Sequence, residues 1–556
     1  MIRSPLQRSA RSIERSSTSA WVVCRLPWLP AVLAAGFVVW TVSRFSRILD
    51  LVHLNPDSGF APVLVSDMAK GNKGGIVFVG EASHLSAIGF LYLTRHFPLR
   101  EVIWDWAPYL TFLAALGVMA WACWQVAGPW AAAMTVAVGA CAEATVLLTV
   151  MAEGMRGNTF FADAAVCAYL VLMLRRPALA RPAKVAATSA VVAIAGSTVA
   201  SDPLFLVAGL APMVGAAAVV WLLVRDRRSG MLALLTLGIG GAALGVSTVI
   251  WAVARSAGFR KNYLEGGYAL PDGEQMATNV RLFWRHVRTL TQSSVHTPLA
   301  VLVIAVAIYA CVLLVQLGRR AGDAEDPGRP ALVAYTAFWL LSAMAILAAF
   351  ALSSFAAGPS DTSRYVIPVF LALAAVGPLW GRRADWRRPL AAAGVAAYCI
   401  VSISARGGLF VEGYPGLGGF RDSGAEAVAF LESEGLTHGY SGYFTSHPLT
   451  LLSDERLHSY PVVACHAPAS DTPCPFFVNI RTAWYVPRPG ERSFFIHDGN
   501  GGGYIFPPPA AALGRPTSTR QFGTLIVSVY DYDIASKFAP PCTNPGVFLC
   551  PPAGDG

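Results

Sequence analysis

Charge is what this chain has least of. Only 13% of its 556 residues are Asp, Glu, Lys or Arg, about half the share of an ordinary soluble domain. Hydrophobic residues make up 55%, and the mean hydropathy is +0.51. That excludes a soluble enzyme over most of the length and leaves lipid as the main solvent. Nucleotide signatures are missing as well. There is no Walker-type phosphate loop and no GxGxxG after a strand. GLGG at 416–419 and GNGGG at 499–503 lie in a polar tail and read as turns. The chain has no GxSxG nucleophile elbow and no HExxH zinc helix. The net charge of +9 does not point to nucleic acid, because the basic residues sit in short loops between apolar runs.

The ten cysteines fall into two groups. Cys24, Cys123, Cys141, Cys167, Cys311 and Cys399 lie in or beside apolar runs and read as small apolar residues. Cys465, Cys474, Cys542 and Cys550 lie in the polar C-terminal region. Four cysteines allow three pairings. The nearest-neighbour one, Cys465–Cys474 with Cys542–Cys550, is the expectation, and it places the tail in an oxidising compartment.

What the chain has in abundance is long apolar runs. A span needs about 20 such residues. Eleven candidates are read: 28–46, 104–126, 131–152, 159–174, 185–200, 203–224, 231–254, 298–317, 331–352, 366–381 and 389–405. Many are rich in Ala and Gly, which suits close helix packing. The leader RSPLQRSARSIERSS and the rest of 1–27 read as a basic cytoplasmic tail rather than a cleaved signal. Four of the five loops on that side are loaded with Arg or Lys, among them RRPALARPAK, RDRRSG and GRRADWRRP. The short loops on the other side carry only Arg156 and Arg364. The positive-inside bias therefore predicts a multi-pass cell-membrane protein with a cytoplasmic N-terminus and an extracytoplasmic C-terminus.

The expected organisation is a polytopic α-helical bundle over 28–405, with long outer loops at 47–103 and 255–297, followed by a small extracytoplasmic α/β domain at 406–556. In the first outer loop ASHLSAIGFLYLTRHF reads as a helix on the membrane surface. In the tail DSGAEAVAFLESEG reads as a helix capped by Asp422. HGYSGYF, SYPVVA, RSFFIHD and GTLIVSVYDYD read as strands. No internal repeat is visible, which argues against an inverted-repeat transporter.

The ionisable residues of the outer side are Asp57, Asp67, Glu153, Arg156, Asp202, Arg255, Arg260, Lys261, Asp361 and Arg364. Acids and bases from six loops gather at one mouth, and charge near a membrane is a functional candidate by default. Each has a plainer reading. Asp57 can cap a helix over GFAPVLVSDM, and Asp67 can be a solvated face residue. Glu153 can pair with Arg156, Asp202 can cap the helix opened by Pro203, and Arg364 with Tyr365 can be an interfacial anchor. His53, His84 and His96 with Asp57 match no compact metal motif. No metal ligand is assigned, though a divalent cation stays open as a cofactor.

A multi-span bundle, an aspartate opening the first outer loop in LNPDSG, a surface helix in that loop and a globular outer tail resemble the GT-C superfamily of membrane glycosyltransferases. TVASDPLFLV and DTSRYVIPVFLAL look like stretches of its bacterial members, with Asp202 and Arg364 as their polar positions. The resemblance implies transfer of a sugar from a polyprenyl-phosphate donor to a cell-envelope polysaccharide, lipid or protein acceptor, with Asp57 as the catalytic acid residue. Asp67, Asp202, Arg260, Arg364 and Tyr365 are then the substrate-binding candidates. Ser58 follows Asp57, so the paired acids of some members are absent. The chemistry agrees: glycosyl transfer asks for a carboxylate to take the acceptor proton and a cation to hold the departing phosphate. Membrane lipid is an expected partner and nucleic acid is not. Two other classes fit less well. A transporter needs polar residues through the midplane, where these runs are Ala, Val, Leu and Gly. A non-catalytic scaffold or sensor has no need of the acids at the mouth.

Overall fold

The computed structural model describes residues 28–45, 56–71, 75–79, 84–142, 146–147, 150, 157–262, 271–290, 308–316, 328–353, 363–382, 386–412, 417–464, 473–476, 479–498 and 510–538. Helices dominate. In chain order they are α1 (Leu29–Ser43), α2 (Pro56–Ala69), α3 (His84–Thr94), α4 (Arg100–Ala127), α5 (Pro129–Ala140), α6 (Gly157–Arg175), α7 (Arg181–Ser201), α8 (Ala211–Val224), α9 (Arg227–Ser256), α10 (Gly273–Leu290), α11 (Arg329–Ala351), α12 (Ile367–Val376) and α13 (Arg387–Glu412). The tail adds α14 (Leu417–Ser433) and α15 (Tyr443–Leu452).

Local chemistry explains the helix ends. Proline opens α5, α7, α11 and α12 at the first or second position, where its missing N–H costs nothing. Arg225 closes α8 in the left-handed region, and Asp226 then caps α9 by accepting from Ser229 N at 2.7 Å. A two-residue turn thus reverses the chain between two long helices.

Among the described residues six helices are long and apolar enough to cross a membrane: Val102–Ala127, Gly157–Arg175, Arg181–Ser201, Leu206–Val224, Arg227–Ser256 and Arg329–Ala351. The expected total of about eleven spans is not reached by these. The runs at 28–46, 131–152 and 366–381 appear as shorter apolar helices, Leu29–Ser43, Pro129–Ala140 and Ile367–Gly381. The run at 389–405 lies inside α13, and of 298–317 only 308–316 falls among the described residues, as helix. The pairs α4–α6, α7–α9, α8–α11 and α11–α12 pack along one another, around fully buried Trp339, Tyr335, Phe338, Phe160 and Phe205.

The tail is α/β, as its composition predicts. A mixed sheet runs β5-β4-β3-β7-β9-β8, with strands β3 (His438–Ser441), β4 (His458–Ala464), β5 (Pro473–Pro475), β7 (Ser493–Asp498), β8 (Ser518–Phe522) and β9 (Leu525–Tyr530). β3 is parallel to β4 and β7, and the outer pairs are antiparallel. α14 buries Ala427, Val428 and Leu431 in the core that Val527 and Val529 of β9 share. Details differ from the sequence reading. Asp422 lies inside α14 rather than at its cap, and GYF of HGYSGYF opens α15. α13 runs to Glu412, past the boundary expected at 405/406.

A second sheet has three short strands in the order β2-β1-β6: β1 (Ile76–Val79), β2 (Phe259–Asn262) and β6 (Ile480–Arg481). β1 pairs in parallel with β2 and antiparallel with β6. The first long loop, the second long loop and the tail are therefore hydrogen-bonded to one another. Gly75 enters this sheet at φ +67, and a Cβ there would meet Thr482 Oγ1 at 2.3 Å. Only glycine fits both the dihedral and the space.

Candidate functional site

The three-stranded sheet fixes which end of the bundle the site occupies. α2, β1 and α3 belong to the first long loop. α2 packs on α3 and on α15, α3 on the C-terminal part of α7, and β2 directly continues α9. The turn Ser363–Val366, which holds Arg364 and Tyr365, packs on α10 of the second long loop. Asn279 of α10 is fully buried and donates to Ala351 O and Ser353 O, at 3.1 and 2.7 Å. It thereby satisfies carbonyls that the end of α11 leaves open. The segments carrying Asp57, Asp67, Asp202, Arg260 and Arg364 are thus joined by one chain of packing contacts.

Asp57 is the second residue of α2, so the helix begins before it rather than at GFAPVLVSDM. The first turn of a helix favours negative charge. Its side chain, like those of Arg364, Lys261 and His84, lies outside the described set, as do His53, Glu153, Arg156 and Asp361 altogether. Two residues on, Gly59 lies so close to α15 that a Cβ would meet His447 Cβ at 3.0 Å.

Asp67, offered by the sequence as a substrate ligand or a solvated face residue, is neither solvated nor single. It is buried, and its Oδ2 accepts from Arg481 Nη1 at 3.0 Å and from Trp484 Nε1 at 2.9 Å. Ser66 Oγ donates to Glu455, and Lys70 Nζ pairs with the same carboxylate at 3.4 Å. These groups fasten the far end of α2 to the tail.

Asp202 ends α7, and both of its oxygens are engaged. Oδ1 accepts from Leu204 N at 3.1 Å and Oδ2 from Thr159 Oγ1 at 2.7 Å. Helix resumes at Leu204, directly after Pro203, and passes into a π turn over Leu206–Leu210, so Asp202 caps the helix opened by Pro203, as the sequence allows, and also holds Thr159. Thr159 stands one turn before Asp163 on α6, and Asp163 is fully buried with no hydrogen-bond partner on either oxygen among the described residues. A Cβ at Gly209 of the π turn would lie 2.6 Å from Asp163 Oδ1, so glycine leaves room for that carboxyl. Asp163 is absent from the residues singled out above. Its signal was present, since a carboxyl inside an apolar run is a functional candidate.

Ser201, next to Asp202, joins three elements. Its hydroxyl accepts from Ser86 N at 3.0 Å and donates to Ser86 Oγ at 3.1 Å, and Asn158 Nδ2 donates to Ser86 Oγ at 3.0 Å. Arg260 is exposed on β2 opposite Val77, Arg255 is exposed in the last turn of α9, and Tyr365 is half-buried against the bundle core. Among the described residues no three His, Cys, Asp or Glu side chains gather to hold a metal, and His96 is exposed at the end of α3.

Below α2 the tail carries a buried cluster. Tyr440 OH donates to Asp533 Oδ1 at 3.1 Å, and Arg488 N donates to Asp533 Oδ2 at 2.8 Å. Burial alone would raise the Asp533 carboxyl. His438, whose Nε2 lies 3.7 Å from Oδ1, and hydrogen bonds from the N–H groups of Ala535 and Arg488 outweigh it and hold Asp533 below the usual range. Burial, then the Asp533 charge, pushes Tyr440 up. Cys474 is disulfide-bonded, and Cys465, Cys542 and Cys550 lie outside the described residues.

No protein-family model matches the chain, and no curated protein does. Among solved structures it is similar to ArnT from Cupriavidus metallidurans bound to undecaprenyl phosphate, at 17% identity and a TM-score of 0.46, covering 91% of this chain and 99% of that one. It is similar to the same protein in the apo state at 16% identity and a TM-score of 0.45, covering 94% and 100%. A likeness at this TM-score lends no activity to the present chain.

Proposed function

We propose that this chain is an integral membrane glycosyltransferase that moves a sugar from a polyprenyl-phosphate donor to a cell-envelope acceptor at the outer face of the membrane. The observation that carries the reading is the β2-β1-β6 sheet, which ties the loop bearing Asp57 to the strand bearing Arg260 and to the tail. A site assembled from three segments so far apart in sequence, at the end of an apolar bundle, suits a substrate that is half lipid and half sugar.

In this mechanism Asp57 takes the proton of the acceptor hydroxyl as its oxygen bonds to the anomeric carbon. The bond from that carbon to the phosphate oxygen breaks, and polyprenyl phosphate leaves with the electron pair. An aspartate carboxylate is in general a weak base. Proton transfer late in an oxocarbenium-like transition state tolerates this. Arg364, with Arg260, holds the phosphate, because a guanidinium presents a planar fork to its oxygens. Asp202 keeps α6 and α7 in register beside the site. The tail encloses the site and keeps α2 in place.

The test is transfer of radiolabelled sugar from polyprenyl phosphate to envelope acceptors, in membranes carrying the wild-type chain or Asp57→Asn. Label transferred by the wild type and lost in the variant supports the reading. Equal transfer in both removes Asp57 from the mechanism.

A further inference from the structure

A cavity of about 220 Å³ lies between α3, α6 and α7, lined by Ser86, Asn158, Phe161, Ser197, Thr198 and Ser201. It holds roughly seven waters' worth of volume. That is room for one pyranose or furanose ring and too little for a chain of them. Among the described residues, none that lines it is charged, so those residues offer no charge to a phosphate or a carboxylate. Its polar groups are hydroxyls and one amide, converging from three elements. We propose that this cavity is a subsite for one neutral sugar ring. The proposal rests on the glycosyltransferase reading only for the origin of that ring, in the donor or in the acceptor.

The side chains are arranged for that ligand. Asn158 and Phe161 are three residues apart on α6 and share a face. Ser197 and Ser201 stand one turn apart on α7, with Thr198 beside them. Ser197 Oγ donates to Ala193 O and Ile194 O, at 2.9 and 3.0 Å, and Thr198 Oγ1 donates to Ile194 O at 2.8 Å. Their protons are thus spent on the helix, and their oxygens remain as acceptors. A sugar supplies the matching donors in its ring hydroxyls. Asn158 spends one Nδ2 proton on Ser86 Oγ, and the rest of its amide can both donate and accept. Phe161 and Ile194 give an apolar wall to the C–H face of a ring.

The Ser86–Ser201–Asn158 network also fixes the cavity's shape. It ties the first turn of α3 to the start of α6 and the end of α7. A preformed pocket avoids the ordering cost of assembling one around the ligand. Ser197 is exposed at its rim. A large side chain there closes the entrance without disturbing a buried contact. The cavity adjoins Asp202 through Ser201, and α3 packs on α2, which carries Asp57.

Two measurements test this, on the full chain in nanodiscs free of glycosidic detergent. In the first, saturation-transfer NMR is run with D-glucose, D-galactose, D-mannose and D-arabinose on the wild type, Ser197→Trp, Asn158→Leu and Asp57→Asn. At least one sugar is expected to show transfer with the wild type and Asp57→Asn, and to lose it in both cavity variants. In the second, the transfer assay is expected to show KM raised by about tenfold for each hydrogen bond lost. A rise confined to the donor assigns the ring to the donor, and one confined to the acceptor assigns it there. Saturation transfer needs no turnover. A wild type that binds sugar but transfers none therefore defeats the glycosyltransferase reading and keeps the subsite. No sugar bound by the wild type, or undiminished binding in both cavity variants, overturns the subsite.

Discussion

Asp67 and Arg481 stand 414 positions apart in the chain, and their side chains meet at 3.0 Å. Both are buried, and Trp484 completes the carboxylate's hydrogen bonds. A buried pair is expensive to break because the surviving charge is stranded. Asp67→Asn is expected to cost about 3–5 kcal/mol and to lower the melting temperature of the purified protein. The double replacement Asp67→Leu with Arg481→Met is expected to cost less than either single change, since it leaves no orphaned charge. If Asp67→Asn melts like the wild type, α2 is held by its apolar contacts and not by this pair.

Asp57→Asn keeps shape and much of the hydrogen-bonding capacity at the start of α2 but cannot accept a proton. Turnover is expected to fall by about 10²–10⁴-fold with little change in melting temperature. Arg364→Lys keeps the charge and loses the fork, so its main effect is expected on KM for the lipid donor. An Arg364→Lys enzyme with wild-type donor KM would detach that residue from the phosphate.

Acid should loosen the tail. His458 stacks on Tyr460 beside Trp484. Burial, and then the Lys70 charge, holds its imidazole below the usual range, while Asp67 and Glu455 pull the other way. A folded-state value below the unfolded one, about 6.5, means that the unfolded chain takes up the proton first. Stability is therefore full above that pH and falls as pH drops through the folded value. Asp533, also lowered, adds a second loss below about pH 4. Melting curves from pH 8 to pH 3 should show both, and His458→Gln should flatten the upper one. A wild-type melting temperature that rises on mild acidification would contradict this sign.

The expected pairing of Cys465 with Cys474 and of Cys542 with Cys550 closes two short loops. Each is worth about 2–3 kcal/mol on chain-entropy grounds. Non-reducing peptide mapping by mass spectrometry reads the pairing directly. Any peptide joining the first two cysteines to the last two would replace it with another connectivity.

A reporter fused after Gly556 tests orientation. Activity only in the exported compartment is expected from the Arg and Lys bias of the loops. Cytoplasmic activity would turn the molecule over, and with it every assignment of outer residues.

The apolar runs were legible because membrane helices carry their signal within one segment. The runs at 131–152 and 366–381 gave shorter helices, and Pro378 beside Gly377 marks where the second leaves α geometry. Strands such as SFFIHD and LIVSVY announced themselves through aromatic and β-branched residues. The β2-β1-β6 sheet did not. Its strands are four, four and two residues long, too short for an alternation to register. The burial of Asp67 could not be read for a similar reason: nothing in VLVSDM indicates an arginine 414 residues away. Asp163 was the legible residue left unread, a single carboxyl in FFADAAVCAYLVLML. The hydroxyl stripe of Ser197, Thr198 and Ser201 passed as ordinary small residues until α3 and α6 closed around it.

The β1 edge has a consequence for biogenesis. One of its neighbours, β6, lies near the far end of the polypeptide. At about 5–20 residues per second, synthesis needs roughly 20–80 s to go from Asp67 to Arg481. Throughout that interval β1 has an open edge and α2 lacks its clasp, while the spans are already entering the bilayer. A ribosome that stalls in the last spans therefore leaves a bundle without its tail strand. Completion of the site is thereby coupled to delivery of the C-terminus to the same side of the membrane, a built-in delay between insertion and competence.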